Sequence, residues 1–169
     1  MTHYRFDPER AVFDVSTRPG LAGFSIRATG AAGTVELTVD DKGAIQYEDD
    51  VRGSFTVAVR NIETANKLVT AAALQFFGTD QAVVVAGEIL GAKPKADDRA
   101  GRSELSMRLR VGARDVPAVG AGRLAWRPNG TLEATGDTMV DPRAFGVPLP
   151  PLVNLMVHIR WRVGLLADG

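Results

Sequence analysis

Val153-Asn-Leu155-Met-Val157-His-Ile159-Arg-Trp161-Arg-Val163 decides the fold class. In an extended chain successive side chains point to opposite faces. Val153, Leu155, Val157, Ile159, Trp161 and Val163 then share one face, and Asn154, Met156, His158, Arg160 and Arg162 share the other. One apolar and one polar face is the pattern of an antiparallel sheet wetted on one side. The segment 153–163 is expected to be the longest regular strand, with Arg160 and Arg162 in solvent. The register is a sharp claim, because a slip by one residue would reverse every side chain.

The same alternation recurs upstream. Phe24, Ile26 and Ala28 alternate with polar neighbours, as do Val35, Leu37 and Val39, then Phe55, Val57 and Val59, then Met107, Leu109 and Val111. Turn signals separate the runs. Asp40-Asp-Lys-Gly43 reads as a tight turn into Ala44–Tyr47. Pro128-Asn-Gly130 reads as a hairpin between Arg123–Arg127 and Thr131–Thr135, because Asn-Gly accepts the positive φ angles of a type I′ turn. Ala82–Leu90 is nearly continuous in apolar residues and suggests a strand buried on both faces. One segment departs from alternation. Asn61 is an N-cap residue, Glu63 suits the positive end of a helix dipole and Gly78 suits a C-cap. Between them Ile62, Ala65, Val69, Ala72, Ala73 and Phe76 recur near helical spacing, which predicts one helix over 62–77.

Composition removes several function classes. The 169 residues fit one domain, 1–169, with no linker or repeat. Basic and acidic residues balance at 20 each, which removes the electrostatic footprint of a nucleic-acid binder. Without cysteine there is no disulfide, thiol nucleophile or thiolate metal site. His3 and His158 are the only imidazoles, too few for a multi-histidine metal centre. No metal and no cofactor are expected. No stretch reaches the roughly 20 apolar residues of a transmembrane helix. The opening Met1-Thr-His-Tyr-Arg5 lacks the pattern of a signal peptide, so the expected compartment is cytoplasmic. Asn129-Gly-Thr131 matches a glycosylation acceptor but reads here as a hairpin turn.

Three motifs could carry chemistry. Gly120-Ala-Gly122-Arg-Leu-Ala125 spells the dinucleotide fingerprint, but that chemistry needs a helix starting inside the motif. Trp126-Arg-Pro-Asn-Gly130 follows instead, so the glycines read as a bend or bulge in a curled strand. His158, Arg160 and Arg162 could bind an anion or form a solvated outer face. Asp40-Asp41 and Asp97-Asp98 lack a third carboxylate at calcium-site spacing. No serine lies in a context that places a histidine base beside it, and no carboxylate pair stands out. The chain is not expected to be an enzyme.

Many short strands, abundant glycine and one inserted helix suggest a closed barrel or strongly curled sheet. Closure removes exposed strand edges, and a small barrel can enclose a ligand. The C-terminal stretch Asp141-Pro-Arg-Ala-Phe-Gly146, with Val147-Pro-Leu-Pro-Pro-Leu-Val153 and the strand after it, resembles the closing segment of the YceI-like family. Tyr4-Arg-Phe-Asp-Pro8-Glu-Arg-Ala-Val-Phe13 is similar to that family's first strand, with Arg10 where serine is usual. Asn61–Phe77 sits where the family has a helix ending in Phe-Phe, without the usual aspartate before that pair or proline after it. The resemblance implies a lipocalin-like antiparallel β-barrel with one α-helix. It further implies a long apolar tunnel that takes a polyisoprenoid, such as an isoprenoid quinone or polyprenyl phosphate.

The leading expectation is therefore a lipid-binding module whose wall comes from inward residues. These are Phe24, Ile26, Phe55, Val57, Met107, Leu109, Trp126, Leu155 and Val157, with Phe76 and Phe77 from the helix and Phe145 from a stiff, proline-rich loop at the mouth. The alternatives are a non-catalytic interaction protein with a filled core, working through its surface or as a homodimer, and an enzyme on the same scaffold.

Overall fold

The computed structural model describes residues 1–17, 25–47, 50–58, 62–64, 85–145 and 156–169. Among the described residues ten strands make one sheet: β1 (Thr2–Thr17), β2 (Ser25–Thr29), β3 (Ala32–Leu37), β4 (Arg52–Val57), β5 (Ile62–Thr64), β6 (Val85–Pro94), β7 (Ser103–Val111), β8 (Arg114–Trp126), β9 (Leu132–Val140) and β10 (Val157–Ala167). Every pairing is antiparallel, and β10 pairs with β1 to close the sheet on itself.

The ten strands act as eight staves. β2 and β3 both lie along β1, β2 against its second half and β3 against its first. They form one stave broken at Gly30, which takes a φ of 71° that a residue with a Cβ rarely adopts. β4 pairs with β3 and β5 with β2, so these two form the next stave. The remaining staves follow in sequence order, β6 to β10. The result is an up-and-down antiparallel barrel of eight staves. Pro8, which has no N–H to give to a ladder, falls in the one register shift between β1 and β10, between Phe6 and Ala11.

The register defines two ends. Thr17 faces Val157, Val157 faces Val140, Ile26 faces Thr64, Val57 faces Val85, and Val85 faces Val111. This is the Val157 end. At the other end Thr2 faces Leu37, Trp126 faces Leu132 and Leu132 faces Leu165. This is the Leu132 end.

The expected register of the last strand holds where it is described. Val157 and Val163 are buried, Ile159 and Trp161 are half-buried, and Arg160 and Arg162 are exposed. The described strand runs 157–167, past the expected end at 163, and β1 and β8 are longer. Residues 153–155 lie outside the described residues.

Four other expectations are corrected. The helix over 62–77 does not begin at Ile62. Ile62–Thr64 is strand β5, with Ile62 facing Ala28 and Thr64 facing Ile26. Two β-branched residues beside an open ladder favour pairing over the cap offered by Asn61; residues 65–77 lie outside the described residues. β6 is not buried on both faces, since Glu88 is exposed and Leu90 is 46% exposed beside the register shift between Ile89 and Gly91. The turn after β8 is not type I′. Arg127 N–H donates to Thr131 O (2.8 Å), Gly130 N–H donates to Arg127 O (2.9 Å), and only Gly130 takes a positive φ, 77°. This is the three-residue hairpin loop that needs glycine at one left-handed position. Finally, Gly120 and Gly122 mark no bulge, because the ladders on both sides of β8 run without a shift.

Candidate functional site: the barrel interior

The inward faces sort into two packed groups. Tyr4, Phe6, Ala11, Phe13, Val35, Leu37, Val51, Leu132, Val163 and Leu165 belong to a group that fills the Leu132 end and reaches Ala28 and Val57 farther along the barrel. Leu132 is fully enclosed. The segment after β3 is fastened across that end. Val39 bridges Ile45, and Val39, Ile45 and Val51 pack into the group. Tyr47 and Ser103 share a hydroxyl hydrogen bond of 2.6 Å, and the Trp126 indole N–H donates to Asp40 O at 3.4 Å. Asp40 in turn accepts the backbone N–H groups of Lys42 and Ala44 and so shapes the turn predicted at 40–43.

The second group lies toward the Val157 end: Met107, Leu109, Ala118, Val140 and Val157, with Val15 and Leu105 half-buried against it. Phe55, Ile89, Ile159 and Trp161 are half-buried and pack against both groups, so they mark the level where the two meet. Phe55 stacks on Phe13 (ring centroids 5.3 Å apart) and on Phe6 (6.2 Å), an arrangement that adds to simple area burial.

Glycines seat the two large rings of that level. A Cβ at Gly87 would overlap the Phe55 ring, and one at Gly33 would lie 2.8 Å from Phe55 Cβ. A Cβ at Gly136 would overlap the Trp161 indole; one at Gly120 would come within 2.9 Å of it and 2.7 Å of the Met107 methyl. Both rings therefore lie against bare backbone on the wall. This is the role of the glycines in the fingerprint-like Gly120-Ala-Gly122 run. The partner that explains them, Trp161, is a strand away and gives no signal within the motif.

Of the expected wall residues, Phe55, Val57, Met107, Leu109 and Val157 do face the interior. Ile26 lies in β2, facing Val15 and Thr64 in the ladders. Phe145 ends a 3₁₀ turn, Pro142–Phe145, after β9. Phe24, Phe76, Phe77 and Leu155 lie outside the described residues. Trp126 is the correction. It stands at the Leu132 end, 40% exposed, against Gly43 and Asp40 rather than with Met107 and Leu109. Trp126 is the last residue of its strand, and the alternation continues to an end where there is no interior left. Sequence reading missed Val15, Ile89, Ile159 and Trp161 as candidate site residues, although each sits on the apolar parity of its strand.

Among the described residues the buried polar side chains are Ser103 and Thr138. Thr138 donates its hydroxyl to Val119 O at 2.7 Å. Charge is kept outside. His158 lies 2.8 Å from Asp137, Arg162 lies 3.8 Å from Glu133, and Arg127 also pairs with Glu133. That pairing raises the pKa of Arg127 above its usual value. Arg160 is exposed. The basic face of the last strand is thus a solvated face with acidic partners. A surface hollow of about 420 Å³ beside Arg10, Arg127 and Arg162 has the Glu133 carboxylate in it, already held by two of those arginines. Asp98 accepts from Ala100 N–H (2.8 Å) and from Arg102 (2.6 Å). First the backbone bond and then the arginine hold its carboxyl below the usual carboxylate range.

An eight-stave antiparallel barrel with an apolar inward face and a charged outer one is a lipocalin-like architecture. No family model matches the sequence, and no curated protein matches it. Among solved structures, BcnA of Burkholderia cenocepacia superposes with a TM-score of 0.68 at 9% identity, over 91% of this chain and 95% of that one. A polyisoprenoid binding domain from Saccharophagus degradans superposes with a TM-score of 0.65 at 10% identity, over 99% of this chain and 100% of that one. A mutant YceI protein of Campylobacter jejuni gives 0.51 at 8% identity, over 81% of each chain. The chain has the fold of YceI-like proteins.

Proposed function

We propose that this protein binds an apolar small molecule, of the polyisoprenoid class, inside the barrel and performs no chemistry on it. One observation carries the reading. Among the described residues the buried interior is apolar apart from the Tyr4 phenol and the hydroxyls of Ser103 and Thr138, and both of those hydroxyls already have partners. Such a surface offers burial at about 25 cal/mol per Å² and no acid, base or nucleophile. The likeness in fold to a polyisoprenoid binding domain supports the ligand class. The half-buried state of Phe55, Ile159 and Trp161 supports an interior that retains room. In this reading the chain is one domain over 1–169 and needs neither metal nor cofactor.

Lipid extraction of the purified protein, followed by mass spectrometry, tests it with two variants. Leu109→Arg puts a charge on the interior wall and should abolish lipid co-purification. Arg108→Ala, on the outer face of the same strand, should leave it unchanged. Equal lipid retention by a folded Leu109→Arg protein defeats the reading, and an interaction protein with a filled core takes its place.

A further inference from the structure

We propose a binding site on the outer wall: the hollow beside Arg10, Arg127 and Arg162 takes an oxyanion of the phosphate type. The site is independent of the apolar ligand, because the hollow opens outside the barrel.

Three elements bring the arginines together. Arg162 stands on β10 opposite Val12 of β1 and Thr135 of β9. Arg127 follows the end of β8. Arg10 comes from the register shift of β1 between Phe6 and Ala11, and such irregularities re-aim a side chain. Its stem crosses β10 at Gly164. A Cβ there would lie 3.0 Å from Arg10 Cβ and 3.2 Å from Arg10 Cδ. Bare backbone at Gly164 thus lets the guanidinium reach the β8–β9 hairpin, where Arg10 Nη1 donates to Thr131 Oγ1 at 3.3 Å.

The hollow holds about 420 Å³, within the usual size of a small-molecule site, and every residue around it is described. Three guanidinium groups meet one carboxylate there, Glu133, so the lining carries two positive charges in excess. Arg127 is committed to Glu133, and Arg162 Nε lies 3.8 Å from the same oxygen. Asp7, 3.7 Å from Arg10 Nε, offsets part of the excess from outside the lining. Asn129 adds donors. The N–H (3.3 Å) and the hydroxyl (2.7 Å) of Thr131 both donate to Asn129 Oδ1, so its amide N–H groups are the part left to bind. Guanidinium forks and amide N–H groups suit a tetrahedral oxyanion, which accepts several bonds at once. Val12 and Pro128 complete the lining. Their apolar surface keeps water from part of each contact, which strengthens it. Glu133 is then the internal competitor of the bound anion.

The test is titration with inorganic phosphate at low ionic strength, read by calorimetry and by the amide shifts of residues 127–133. Saturable binding that weakens with salt is expected. Arg10→Ala and Arg162→Ala should each weaken it roughly tenfold or more, the cost of a lost hydrogen bond to a charged group. Arg108→Ala, on another part of the wall, should not. Glu133→Gln removes the competing charge and should tighten binding. Gly164→Ala alters no charge but displaces the Arg10 stem, and it should weaken binding as Arg10→Ala does. If Glu133→Gln fails to fold, Gly164→Ala decides alone. The same chemistry is offered by free phosphate and by a lipid head group. Cosedimentation with phosphatidylcholine vesicles that contain phosphatidic acid, absent with phosphatidylcholine alone and lost in Arg162→Ala, assigns the site to the head group. Phosphate binding without cosedimentation assigns it to a free phosphate. Absence of saturable phosphate binding overturns the site. So does binding that Gly164→Ala leaves unchanged, since diffuse surface charge would then account for it.

Discussion

The Leu132 end and the Val157 end of the barrel are made of the same staves in the same alternating pattern, yet they are finished differently. At the Leu132 end long side chains meet across the axis: Tyr4, Phe6, Leu37, Leu132 and Leu165 fill it, and the segment after β3 is tied over it. Toward the Val157 end Met107 and Leu109 stand among smaller inward residues, Ala118, Val140, Val157 and Val15, and at the level where the groups meet the two largest rings rest on glycines. Alternation alone makes an apolar inner face. What the residues on that face do depends on their size and on whether the wall opposite has a Cβ. Under the proposed function the Leu132 half serves stability and the other half takes the ligand.

Four measurements break or sharpen this contrast. Leu132→Ala, at the fully enclosed position, should cost about 2–5 kcal/mol in denaturant unfolding. Added ligand should not change that difference. An equal cost for Ile159→Ala, half-buried at the meeting level, would erase the distinction between the halves. Gly136→Val drives a side chain into the Trp161 seat and should cost about 1–3 kcal/mol by overpacking. It should also push the ring toward the axis and weaken ligand binding, read by titration of the folded variant. Retained affinity would mean that the glycine seat does not set the bore. Tyr47→Phe removes the partner of the buried Ser103 hydroxyl and should cost about 1–2 kcal/mol. Its effect on ligand binding should be nil, because the contact lies at the filled end.

The smallest effect concerns acid. The folded-state pKa of Asp98 is depressed by Ala100 N–H and Arg102. Its contribution is therefore present above the usual carboxylate value, 3.8, and lost as pH falls through the lower folded value. Amide protection in residues 97–101, relative to the intrinsic exchange rate at each pH, should fall in that window and stay level between pH 5 and 8. Asp98→Asn should remove the dependence.

Several of these features were legible in the sequence. The parity of β10 and β7 was readable because alternation is local, and Arg160, Arg162, Met107 and Leu109 fall where it puts them. The hairpin at 128–130 was legible as a turn but not as its type, since one glycine serves either. Strand pairing is non-local, and there the reading failed. Ile62–Thr64 carries capping and helix-dipole signals, yet it pairs with β2. The use of Gly87, Gly120 and Gly136 as ring seats requires knowing which strands become neighbours. Trp126 was assigned to the interior by parity alone, because parity does not say where along a stave the interior ends.

Closure by β1 against β10 sets an order of events during folding. Tyr4 faces Ala167, Phe13 faces Trp161, and Asp168 N–H donates to His3 O at 2.9 Å. The ladder that joins the first stave to the last spans nearly the whole sequence and repays its loop-closure entropy only once both strands are present. A nascent chain that has delivered β1 to β9 still has an open sheet with two unpaired edges and an uncovered apolar face. That intermediate is the aggregation-exposed species. The seam, not the lumen, is where this barrel is vulnerable in the seconds before it closes.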